Sequence, residues 1–118
     1  MNNNTQPVVI LTKWYDFVLW MTQKVQNYPK SYKYTLGDRI QTQMLDILEM
    51  FVVAQYNKDQ RKQTLRHINI AIERLRYLIR LSKDLHCLSM AHYEFAAKQL
   101  LELGKMVGGW EKQNAKAI

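Results

Sequence analysis

At 118 residues and 47% hydrophobic side chains, the chain has the size of one domain and can bury a core without disulfide or metal staples. Its 17 Lys and Arg against 10 Asp and Glu give a formal net charge of +7, an excess that favours polyanionic partners such as nucleic acid, an acidic protein face or a lipid surface. The lone cysteine, Cys87, excludes an internal disulfide, and every apolar stretch is broken by Lys, Asp, Gln or Arg far short of the roughly 20 residues of a bilayer span. The start MNNNTQPVV carries neither a basic region nor the apolar run of a signal peptide, so a cytoplasmic protein of one domain over 1–118 is expected.

Ile10, Trp14, Phe17, Met21 and Val25 recur at steps of three and four, the spacing that stacks side chains on one helical face, and predict a first helix over about 7–27. The polar run from Asn27 to Thr35, with Pro29, breaks it. Thr35 reads as an N-cap with Asp38 in the first turn of a second helix, about 36–56, whose inward residues are Leu36, Ile40, Met44, Ile47, Leu48, Phe51 and Val52. After the short link Asn57 to Gln60, Leu65, Ile68, Ile72, Leu75 and Ile79 define a third helix over about 60–84. Ser89 caps a fourth, about 89–112, carried inward by Tyr93, Ala96, Ala97, Leu100, Leu103 and Val107, with Gly108 and Gly109 marking its last turn. Short links imply antiparallel neighbours, and strand-like alternation is nearly absent. The expected class is all-α, an antiparallel four-helix bundle, with fraying over the first six and last five residues.

The third helix carries more than a core stripe. Ile68, Ala71, Ile72, Leu75, Leu78 and Ile79 fall in one broad arc, while Ile70, Tyr77 and Leu81 form a second apolar stripe on roughly the opposite side. A bundle uses one face per helix for its own core, so the second stripe predicts burial against another subunit. Lys62, Arg66, Asn69, Arg76, Arg80 and Lys83 flank it, interrupted by Glu73. Arg76, Arg80 and Lys83, at i, i+4 and i+7, align their charges in one row, and arginine suits bidentate phosphate and carboxylate contacts. From Lys58 to Lys83 the only acids are Asp59 and Glu73, whereas an inert solvated face mixes its charges. Tyr28, Tyr32 and Tyr34 with Lys30 and Lys33 make a second candidate contact in the first break.

No catalytic or metal constellation is legible. His67, His86 and His92 lack ligand-type partners at helical spacing, and Glu-x-x-His, a Walker motif and Gly-x-Ser-x-Gly are all missing. Met21, Met44 and Met106 sit in apolar stripes and read as core filling. The chain reads as a non-enzyme without a cofactor.

Three stretches, YDFVLWMTQKVQNYPKSYKYTLGDRI, LRHINIAIERLRYLIRLSKDL and MAHYEFAAKQLLELGKMVGGW, together resemble the Avd family, the accessory variability determinants of diversity-generating retroelements, over about residues 8–112. The resemblance implies a four-helix bundle that assembles as a ring-like homopentamer, presents a basic surface, and associates with the retroelement's reverse transcriptase and with RNA or DNA in mutagenic retrohoming. It places partner contact on Arg76 and Arg80, supported by Arg74 and Lys83. The bundle proteins encoded in intervening sequences of 23S ribosomal RNA genes are similar in architecture and offer an alternative, a scaffold for RNA or an acidic protein. Their Ser-Ile-Pro-x-Asn-Ile-Ala-Glu-Gly stretch is replaced here by LGDRIQTQMLDILEMFVVAQY, which favours the retroelement family.

Overall fold

The computed structural model describes residues 5–116. Four long helices account for it: α1 (Thr5–Gln26), α2 (Asp38–Tyr56), α3 (Arg61–Asp84) and α4 (Met90–Lys116). Each packs against its two neighbours around the bundle, α1 on α2, α2 on α3, α3 on α4 and α4 back on α1. The body is elongated, 48 × 23 × 19 Å. No strand occurs among the described residues.

Helical periodicity translates directly into the core. Ile10, Trp14, Phe17, Met21 and Val25 of α1 are all buried, as are Ile40, Met44, Ile47 and Phe51 of α2, Leu65, Ile68, Ala71, Ile72, Leu75 and Ile79 of α3, and Ala96, Leu100, Leu103 and Val107 of α4. Some residues expected inside stand further out, Tyr93 and Met106 of α4 among them, both half-buried. Val52 is exposed, while Leu48, Leu78 and Ala97 are half-buried, because each lies at the edge of its helix's inward arc, where the neighbouring helix no longer covers it.

Trp14 ties α1 to α2. Its ring is fully buried, its Nε1 donates to the Met44 carbonyl at 3.2 Å, and its ring centroid lies 5.9 Å from that of Phe51. Burying the indole therefore leaves no orphan donor.

The first break is more ordered than its composition predicts. A single helical turn, Lys30–Tyr32, and a π-turn, Lys33–Gly37, lead straight into α2. Pro29 starts this lead-in, its carbonyl accepting from the Tyr32 and Lys33 amides at 2.9 Å each. Thr35 is consequently not an N-cap: it lies inside the π-turn, and its hydroxyl donates back to the Tyr32 carbonyl at 3.4 Å. At Gly37, the end of this lead-in, the backbone passes close to α1. A Cβ there would stand 2.9 Å from Cγ1 of Val25.

Later helix ends follow different chemistry. Arg61 closes α2 from the start of α3, its guanidinium donating to the carbonyls of Ala54 and Gln55. The C-terminus of α3 closes as a Schellman motif, with Cys87 N–H on the Ser82 carbonyl at 2.8 Å and His86 N–H on the Lys83 carbonyl at 3.0 Å. His86 takes the left-handed position, φ 63°, usually held by glycine. Ser89 caps α4 as expected, its hydroxyl accepting from the His92 amide at 3.1 Å.

The glycine pair does not end α4, which continues through Gly108 and Gly109 to Lys116. Trp110 is buried at 5% exposure, and Glu111 accepts from the Asn69 amide of α3. Tertiary contacts on both sides of the pair thus offset its weak helix propensity. Of the termini expected to fray, Thr5, Gln6 and residues 114–116 are helical, and the remainder lies outside the described residues.

Gly37→Ala should destabilise the protein by about 1–3 kcal/mol, since the new methyl group overlaps Val25. His86→Gly should stabilise it by about 1 kcal/mol by relieving the left-handed residue. Urea denaturation of both variants reads the opposite signs in one experiment.

Candidate nucleic-acid interface

The arc of α3 that fills the core forces its basic flank outward along the seam with α4. Arg76 and Arg80 there line a small cleft of about 150 Å³ together with Glu73, Tyr77 and Tyr93. Lys83 follows on the same flank of α3, its Nζ 4.8 Å from the centroid of the Tyr93 ring and 3.1 Å from an Asp84 carboxylate oxygen. Arg76 is held by Glu73 through a 2.9 Å ion pair on the helix surface. Such an exposed pair at i, i+3 contributes little and is readily exchanged for a stronger anion. Arg80 is exposed and has no acidic partner among the described residues.

The six basic residues singled out on α3 do not form one site. Arg76, Arg80 and Lys83 come together at the end of α3 near the α3–α4 turn. Arg66 and Lys62 are exposed on the same helix but lie about 15–21 Å from Arg76 along the axis, at a rise of 1.5 Å per residue. Arg74 is also exposed. Two residues from Arg76, it stands about 200° around the helix and projects on the α2 side of the apolar stripe rather than into the seam. Tyr93, expected in the core stripe of α4, is half-buried: it packs against the core at the edge of that stripe and also borders the cleft. Its position opposite Lys83 follows from the short antiparallel α3–α4 link, a signal the sequence did carry.

Ile70, Tyr77 and Leu81 are 48%, 68% and 45% exposed, so none of the bundle's own helices covers the second stripe. Ile70 and Leu81 stand free on the outer face of α3. Tyr77, at the margin of the stripe, also borders the arginine cleft.

The aromatic lead-in to α2 divides. Tyr28 is buried at 4% exposure and offers no ring face to a ligand, which removes it from the second candidate contact. Tyr34 is 64% exposed, with Lys33 Nζ 5.7 Å from its ring centroid, and borders an open cleft that also takes in Asp38, Arg39, Thr42, Gln43 and Leu78. Lys30 is exposed and Tyr32 half-buried.

Burial pushes the Tyr28 phenol up to about 12, with the nearby Ser82 hydroxyl drawing it partly back. The phenol oxygen has no partner within hydrogen-bond geometry, and the Ser82 hydroxyl donates to the Leu78 carbonyl at 2.9 Å. Burial likewise raises the Cys87 thiol, which keeps it in the unreactive protonated form. His67 and His86 are exposed, and His92 meets Trp20 edge-on at 5.9 Å. Among the described residues no three His, Cys, Asp or Glu side chains gather as a metal site, and no helix is long and apolar enough to cross a membrane.

Loss of stability at alkaline pH is expected from Tyr28. Because its folded pKa of about 12 lies above the ordinary 10.0, the contribution of the neutral phenol is complete below pH 10 and is lost as pH rises towards 12. Tyr28→Phe removes a hydroxyl that has no partner, so it should change stability at pH 7 by less than about 1 kcal/mol and flatten this alkaline loss. Thermal denaturation of both proteins between pH 7 and 12 checks it.

A search of curated proteins returns no match. The model of the bAvd-like family matches residues 8–114, nearly the full length of all four helices and the whole basic seam. The chain therefore belongs to the bAvd-like family.

Proposed function

We propose that this protein is a non-catalytic accessory factor of a diversity-generating retroelement that binds nucleic acid and the element's reverse transcriptase during mutagenic retrohoming. Membership of the bAvd-like family supports the accessory role and association with retroelement components. The observation that carries nucleic-acid binding is the alignment of Arg76, Arg80 and Lys83 along one seam beside two tyrosine rings, with Glu73 and Asp84 the only acids paired to them among the described residues. Cations in a row along a rigid helix neutralise successive phosphates and release counterions. Phosphate contacts of this kind fix position without reading sequence, as suits a protein that serves a polymerase rather than a defined site.

The protein acts as a homo-oligomer, a ring-like pentamer by family resemblance. Ile70 and Leu81 on the outer face of α3 supply the apolar contact, with Tyr77 at its edge. Chemistry belongs to the polymerase; this chain contributes a charged platform that holds template or product against it.

Light scattering on the wild type and on the Arg76→Ala, Arg80→Ala double variant, with and without a short RNA, tests the reading. The wild type is expected as an oligomer whose mass rises with RNA, and the variant as the same oligomer with no rise. Titrations at several salt concentrations should show the salt slope on a single strand reduced by about 1.4 in the variant, as expected for two lost phosphate contacts. A monomer indifferent to RNA would overturn both the assembly and the role of the basic row.

A further inference from the structure

We infer that the cleft between α3 and α4 selects single-stranded nucleic acid over duplex, by stacking an unpaired base on Tyr77 while Arg76 and Arg80 hold the flanking phosphates. This rests on the nucleic-acid reading of the basic row and adds a ligand class to it.

Arg76 and Arg80 are one helical turn apart, about 6 Å along the axis of α3, and Tyr77 lies between them in sequence and beside them in the cleft. Its ring is 68% exposed and meets no cation or second aromatic ring among the described residues. Tyr93 is engaged differently: Lys83 occupies a face of its ring, so that tyrosine serves as the wall of the cleft rather than as a platform. The site thus offers one free aromatic face flanked by two guanidinium groups. Every nucleobase has a π-face that such a ring can stack on, and stacking needs no particular sequence. A duplex keeps its bases stacked on one another and presents only its backbone, so it can use the arginines but not Tyr77. An acidic peptide could likewise pair with the arginines and would gain nothing from the ring.

Fluorescence anisotropy at fixed salt decides it, using full-length wild type, Tyr77→Ala, Tyr77→Phe and the Arg76→Ala, Arg80→Ala variant. The probes are a labelled oligouridine strand, a hairpin duplex with the same number of phosphates, and a strand of that length with abasic sites in place of bases. The wild type is expected to bind oligouridine roughly tenfold more tightly than the abasic strand, and the duplex less tightly than oligouridine. Tyr77→Ala should lose that tenfold on oligouridine alone, and Tyr77→Phe should keep it. Tyr77 also borders the apolar stripe, so the mass of Tyr77→Ala is checked by light scattering; if the oligomer is lost, Tyr77→Phe and the abasic strand still decide. Equal binding of oligouridine and abasic strand by the wild type overturns the stacking. If the arginine variant then still loses affinity for all three probes, the basic-row reading survives without it. If the wild type binds none of the probes, that reading falls as well.

Discussion

The rotational setting of α3 is the constraint on which the rest of the molecule depends. Leu65, Ile68, Ala71, Ile72, Leu75 and Ile79 all face the core between α2 and α4. A turn of the helix by one residue, about 100°, would drive Asn69, Arg76 and Arg80 towards that core. Burying even one unpaired guanidinium there would cost several kcal/mol, so the apolar arc leaves a single acceptable orientation. Once it is fixed, the basic flank has to emerge along the seam with α4, and Ile70 and Leu81 have to emerge on the outer face. Both outward faces are thus by-products of how one helix buries its core.

The other helices hold that orientation in place. Trp14 joins α1 to α2 through its indole N–H and its contact with Phe51, and an aromatic chain runs from Trp14 along α1 through Phe17 and Trp20 to Phe95 on α4, whose ring centroid is 4.6 Å from that of Trp20. At one end of α3, Arg61 is anchored on the last carbonyls of α2. At the other, the Schellman closure around His86 and the Ser89 cap turn the chain sharply into α4. That sharp turn sets Tyr93 opposite Lys83. The cleft is therefore built on two helices with fixed ends.

The charge arrangement within the seam is uneven in a way that bears on binding. Arg76 is tempered by Glu73 and Lys83 by Asp84, while Arg80 carries its charge unopposed by any described residue. Under the proposed function, an anion would find Arg80 unpaired and would have to displace the ion pairs at Arg76 and Lys83. Binding of this type depends strongly on salt, because exposed pairs and phosphate contacts are screened alike.

Sequence alone determined the helices, their order and nearly all of the core, because burial on one side of a helix imprints a 3.6-residue period that no other structure mimics over such lengths. It also determined the two outward faces of α3, since Arg76, Arg80, Ile70 and Leu81 are placed by the same period. What it did not carry was any property decided between helices. Gly108 and Gly109 read as the last turn of a helix ending near 112, yet α4 runs on to Lys116, because Trp110 is buried and Glu111 is bonded to Asn69, 42 positions away in the chain. Thr35 read as a cap, yet lies inside a π-turn set by Pro29 and by the close approach of Gly37 to Val25. Tyr28, read as a surface contact, goes into the core, and Tyr93, read as core, lies at its edge where it also borders the cleft. Periodicity reports which face of a helix is inward, but whether a residue at the edge of that face is covered depends on the neighbouring helix, and only the tertiary structure decides that.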